Sequence, residues 1–254
     1  MPRRLAHMAD DGELVDGSAL AHIARLKRGN KRFQRGDSAI AKPHRSSATS
    51  RGAAPEPFAI VMGPAETLVP IEAVFDTPSE ELIVQTCMGS IAGRKGATHF
   101  NSLEYAILRY QPKLLLVLGN SESEVMKLAI KQVHGQDDDS PVPSEAMRFV
   151  LNQVMVSAMR AAVQAQKEPA VTAAGRDMKI AQIANELNTL YTIEQLMRSA
   201  IVRNAVRHHG LELHGGILDA TTGEVEFIGR HPQEAELMNE ERQPRSFLTL
   251  RSDD

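Results

Sequence analysis

Few side chains in this 254-residue chain can do covalent or metal chemistry. Cys87 is the single cysteine, which excludes an internal disulfide and a Cys-rich zinc site. As one small thiol in an apolar neighbourhood, it reads as a core residue rather than a ligand. His208, His209 and His214 lack the spacing of a paired metal site, and His209 and His214 fit surface or core positions. The run Ser121-Glu122-Ser123-Glu124 has two readings. As chemistry, one of its glutamates would be a catalytic carboxylate. General-base catalysis gives about 10²–10⁴-fold. As structure, Ser121 followed three residues later by Glu124 is a capping box, and acids suit the positive end of a helix dipole. The structural reading is the better supported, because the apolar periodicity of Val125, Leu128 and Ala129 begins directly afterwards. Glu66 is the least explained residue: it can accept from a backbone amide or face water.

These residues need elements to position them. Residues 18–35 read as a helix, with Leu20, Ile23, Ala24 and Lys27 near one face. Phe58–Met62, Leu82–Val84 and Leu114–Leu118 are short apolar runs spaced by helical segments. Such runs predict a parallel sheet covered on both faces. Asn101–Tyr110 reads as the helix before the third strand, stopped ahead of Pro112. Helices follow over Val125–Val133 and Ser144–Gln166, with one or two more over Asp177–Arg207. Gly210–Ala220 and Glu224–Gly229 read as closing strands joined through Thr221-Thr222-Gly223. Lys42–Pro57 and Gln136–Pro143 read as loops. Six of the eleven Met fall in the later helices, at core or subunit-interface spacing. Glu145 is the only acid between Ser144 and Gln166, so that helix offers a docking surface. The expected organisation is a tail, helical arm and loop over 1–57, a domain over 58–230, and a tail over 231–254.

The length suits one large α/β domain with an extension. No apolar run approaches the ~20 residues of a membrane span. The first residues lack the apolar stretch of a secretory signal, and Asp10, Asp11 and Glu13 suit a transit peptide poorly. An intracellular protein is expected, with cytosol, plastid and mitochondrion left open, as is a peptide removed upstream. A net charge of −3 provides no field for nucleic acid. The charge is uneven, however. Between Arg25 and Arg51 nine Lys/Arg face Asp37 alone, so this stretch is +8 and the remainder −11. It reads either as a solvated helix and loop or as a basic arm lying on an acidic body, its own or a partner's.

Four segments, in order, resemble the β-class carbonic anhydrases. Residues 25–33, RLKRGNKRF, are similar to that family's L-x-x-G-N-x-R-F. Residues 62–76, MGPAETLVPIEAVFD, are similar to G-C-S-D-S-R-V-P-V-E-x-x-F-D. SLEYA at 102–106 with VLGNSESE at 117–124 is similar to S-L-E-Y-A and V-L-G-H-S-x-C-G. LHGGILDATTGEV at 213–225 is similar to the closing strand pair. The resemblance implies a mostly parallel sheet flanked by helices with an N-terminal helical arm, and a homodimer in which the arms embrace the neighbouring subunit.

It also implies a zinc site of Cys, His and Cys, with an Asp–Arg pair orienting the metal-bound water. At these positions stand Pro64, Asn120 and Ser123, with Glu66 for the Asp and Leu68 for the Arg. Glu66 then has a third reading, as a relic of the family's acid. Proline has no side-chain donor, and neutral Asn and Ser oxygens are poor zinc ligands. Zinc lowers the pKa of bound water from about 15.7 to about 7, on the order of 12 kcal/mol, which one side chain does not replace. The sequence therefore carries the expectation of no cofactor, zinc included, and no metal site. The expected function is a catalytically inactive structural or interaction subunit, possible within a larger assembly. Two alternatives stand beside it: a metal-independent carbonic anhydrase or small-molecule hydrolase using Glu66, Asn120 and Ser123 of the altered pocket, and a small-ligand sensor.

Overall fold

The structure, a computed structural model, describes residues 17–38, 56–67, 69–135, 145–167 and 172–239. Helix α1 (Ala19–Arg35) is opened by Ser18, whose Oγ accepts from Ala21 N at 3.2 Å. Gly36 closes it at φ 73°, in the left-handed region that glycine adopts without strain. Strand β1 (Ala59–Pro64) is followed by the short helix α2 (Ile71–Val74) and strand β2 (Leu82–Cys87). Helix α3 (Thr98–Tyr110) leads to strand β3 (Leu114–Asn120). Helices α4 (Glu124–Val133), α5 (Glu145–Ala165), α6 (Ala173–Met197) and α7 (Ala200–His209) come next. Strands β4 (Glu212–Leu218) and β5 (Val225–Gly229) precede helix α8 (Glu234–Asn239).

The sheet order is β2-β1-β3-β4-β5, parallel except for the antiparallel β4–β5 pair. β1 and β3 are buried along their whole length, as their unbroken apolar runs require. Alternate residues serve opposite faces. Ile60, Met62, Leu115 and Val117 pack with Phe100, Leu103 and Val202 of α3 and α7. Val61, Leu114, Leu116 and Leu118 pack with Leu26 of α1 and with Ile71, Val74 and Phe75 around α2. A third cluster joins α4, α5 and α6 through Val125, Leu151, Val154, Ala158 and Ala184.

α1 is fixed to this body by two adjacent residues. Gly29 lets the helix touch the chain after α2: a Cβ there would stand 1.8 Å from the carbonyl oxygen of Phe75. Asn30 is buried, and its amide donates to Val74 O at 3.1 Å and Gly223 O at 2.8 Å. Its Oδ1 accepts from Val225 N at 2.9 Å. Two residues of the described part of the basic stretch meet the chain's own acids. Arg32 meets the buried carboxylate of Asp76 at 2.5 Å, and Arg25 pairs with Glu81 beneath the Phe58 ring.

The elements agree with the sequence reading to within a few residues, and Asp177–Arg207 resolves into α6 and α7. Lys42–Pro57, apart from its last two residues, and Gln136–Pro143 lie outside the described residues. The stretch after 230, expected as a tail, begins with α8. His231 holds it to α6, with Nε2 3.3 Å from Glu194 and Nδ1 accepting from Gln233 N at 3.1 Å.

Candidate functional site

In a parallel sheet the crevice forms where neighbouring strands lead off to opposite sides, at their carboxyl ends. Here that point lies between β1 and β3. They pair from Ala59–Leu114 to Met62–Val117, after which β1 continues beside β2 and β3 beside β4. Pro64 ends one lip, in register with Cys87, and Asn120 ends the other, in register with Leu218. The missing N–H of Pro64 is tolerated because β3 no longer pairs there.

The structure brings Pro64, Glu66, Asn120 and Ser123 to this crevice; Leu68 lies outside the described residues. The carboxylate of Glu66 reaches across it. Oε1 accepts from Ser123 Oγ at 2.9 Å, and both oxygens accept from Gly89 N at 3.2 Å. Of the readings open for Glu66, the amide-bound one is observed. Asn120 is buried and closes its own turn, Oδ1 accepting from Glu122 N at 3.1 Å.

One sequence expectation is corrected here. The cap of α4 is Ser123, not Ser121: Ser123 Oγ accepts from Met126 N at 3.4 Å, and Glu124 is the first helical residue. The strand runs on to Asn120, which moves the helix start two residues downstream. Ser121 is drawn to the closing hairpin instead, its Oγ accepting from Ala220 N at 3.2 Å and its amide donating to Leu218 O. The acids Glu122 and Glu124 share one lysine. Both face Lys127, at 2.7 and 3.0 Å, and together hold its ammonium above the usual lysine range.

Sequence reasoning missed the floor of the site. The turn Met88–Ser90 supplies the Gly89 amide, with Gly89 at φ 65°. This turn is bolted to β3 by Ser90 Oγ donating to Leu118 O at 2.7 Å. It is bolted to α6 by Asn188 donating to Gly89 O at 2.8 Å and Thr192 to Ser90 O at 3.1 Å. The available signal was a stripe of Asn185, Asn188, Thr189 and Thr192 at helical spacing, all buried.

Cys87 stands half-buried beside this network. Burial first, and the Glu66 charge second, push its thiol up from its ordinary value. A protonated thiol is a poor nucleophile and metal donor. Alkylation of Cys87 by iodoacetamide at pH 8 is expected to run slower than in the unfolded chain. Glu66→Gln should recover part of that rate, and a rate equal to the unfolded chain's would refute the assignment. His208 and His209 end α7, and His214 lies mid-strand opposite Leu116, 2.8 Å from Glu212, so the crevice gathers none of them.

Among the described residues, no group of three or more His, Cys, Asp or Glu is placed to hold a metal ion. No helix among them is long and apolar enough to cross a membrane.

The family model described as carbonic anhydrase matches residues 59–225. No curated protein sequence matches the chain closely enough to count as a relative. Solved structures of similar fold include a tetrameric β-carbonic anhydrase of the filamentous ascomycete Sordaria macrospora. It is 20% identical, covers 82% of this chain and 96% of its own, and has a TM-score of 0.59. A β-carbonic anhydrase of the fungal pathogen Aspergillus fumigatus is 15% identical over 86% and 94%, with a TM-score of 0.60. The Coccomyxa β-carbonic anhydrase in complex with acetazolamide is 20% identical over 84% and 86%, with a TM-score of 0.60.

These matches overturn the expectation that no cofactor is involved. β-Carbonic anhydrases are zinc enzymes, so zinc is the cofactor that the kinship implies. The residues at the three ligand positions do not fit it. Pro64 offers no donor, Asn120 Oδ1 is engaged by a backbone amide, and Ser123 Oγ is engaged by Glu66 and Met126.

Proposed function

This chain belongs to the carbonic anhydrase family, with the β-class fold, and from that premise we propose that it acts as an interaction subunit and does not turn over CO₂. The observation that carries this reading is the commitment of Glu66. A general base needs a lone pair free for a proton from water within hydrogen-bond reach. Oε1 of Glu66 accepts from both Ser123 Oγ and Gly89 N and Oε2 shares the Gly89 amide, so the carboxylate is oriented across the crevice by protein donors and keeps only part of its accepting capacity for water. Glu66, Gly89, Asn120 and Ser123 each find a protein partner at the crevice, while Asn188 Oδ1 beneath them is buried without one among the described residues.

Assembly is the other half of the proposal. The Sordaria macrospora structure is of a tetrameric enzyme, and we take this chain to be at least a homodimer, with the N-terminal arm contributing. Membership of a larger assembly is a further part of this reading.

The test is stopped-flow CO₂ hydration by the full chain, with and without zinc in the buffer, together with light scattering on the same sample. The expected result is a rate indistinguishable from buffer in both and a mass of two chains or more. Turnover at an enzyme's ordinary rate, abolished by Glu66→Gln, would establish catalysis in place of this reading.

A further inference from the structure

Helix α5 buries one side and exposes another in a regular order. Leu151, Val154, Ala158 and Ala161 pack into the core with α4 and α6. On the outside, Phe149, Val156 and Val163 recur every seven residues, with Met159 beside them. They are exposed by 47%, 38%, 57% and 55% respectively. A seven-residue recurrence lines side chains along one seam, the arrangement by which helices pair. Next to the C-terminal half of the seam is an open, largely apolar groove of about 520 Å³, lined by Met159, Val163 and Leu187 with Arg160, Gln164 and Lys167 around them.

We propose that this seam is covered by α5 of a second copy of the chain, packed antiparallel about a two-fold axis at Val156. The inference rests on the reading of the chain as an interaction subunit, and names the partner. Its basis is that the helix is complementary to itself when reversed. With Val156 on the axis, each residue faces the one equally far on its other side. Val156 then meets its own copy. Phe149 faces Val163 of the second copy, beside the groove, which receives the ring. Glu145 faces Lys167, so two opposite-charge pairs close the ends of the seam. Arg148 faces Gln164 and Arg160 faces Asn152, so no like charges meet. A parallel pairing instead sets Glu145, Arg160 and Lys167 each against its own copy, and like charges opposed across an interface are costly. A two-fold interface is self-complementary by construction, which is what this palindromic order supplies. A partner of different sequence needs no such order.

The test is site-directed cross-linking of the full chain in a Cys87→Ser background. Val156→Cys sits on the axis, so mild oxidation is expected to convert most of the chain to a covalent dimer. Thr221→Cys, exposed on the β4–β5 turn, is expected to stay uncross-linked. In sedimentation, Glu145→Lys should weaken this association about tenfold, and adding Lys167→Glu should restore it. Cross-linking at position 156 no greater than at 221, or a charge reversal that its partner fails to rescue, would overturn the proposal. Cross-linking reads geometry and not turnover, so its failure and that of the hydration result are separate events.

Discussion

Replacing Gly29 with alanine is expected to destabilise the fold by about 3 kcal/mol. The added Cβ would sit 1.8 Å from the Phe75 carbonyl oxygen and 2.7 Å from its carbon. Both are backbone atoms and cannot swing aside as a side chain can. That oxygen is also held by Thr77 Oγ1 at 2.9 Å, in a buried turn. α1 must therefore lift away. Overpacking costs about 1–3 kcal/mol in itself. Lifting α1 also stretches the bonds of Asn30, and a buried donor or acceptor left alone costs about 1–3 kcal/mol. The better helix propensity of alanine returns only about 1 kcal/mol. Urea unfolding followed by circular dichroism measures the difference. A change within about 0.5 kcal/mol, ordinary for a surface site, would mean that α1 does not seat against Phe75.

The second large effect is expected at Glu66. Glu66→Ala should cost about 2 kcal/mol, because Gly89 N and Ser123 Oγ lose their acceptor together. Hydrogen bonds to a charged group contribute about 1.5–3 kcal/mol, and Glu66 is only partly buried, which favours the lower end. Glu66→Gln keeps one acceptor oxygen and should cost less than half as much. Thermal melts of both variants decide it. Equal stability of Glu66→Ala and the unmodified chain would remove the carboxylate from the account of how the crevice is held.

What the sequence made legible was governed by short range. The apolar runs of β1 and β3 are buried on both faces whatever surrounds them, so their composition alone identified them. Helix α4 was legible by periodicity, yet its cap was misassigned. The capping rule sees Ser121 and Glu124 three residues apart, whereas Ser121 is claimed by Ala220, 99 positions away. Glu66 has the same character, with partners 23 and 57 positions away. The floor of the site was hidden because the polar stripe of α6 has no meaning until the Met88–Ser90 turn lies against it. The resemblance located the crevice, and the donors missing there led to the expectation of no cofactor, which the kinship corrects to zinc.

Asn30 sets an order of events during synthesis. Its partners Gly223 and Val225 lie 193 and 195 positions later in the chain. At roughly 5–20 residues per second, about 10–40 s pass between the emergence of α1 and that of the hairpin which locks it. Throughout that interval Ile23 and Leu26 have no closed core to enter. A chain truncated ahead of β5 therefore keeps the contacts of α1 with Val74, Asp76 and Glu81 but loses the Asn30 bond to Val225, so the first helix is fully locked only when the last strand is in place.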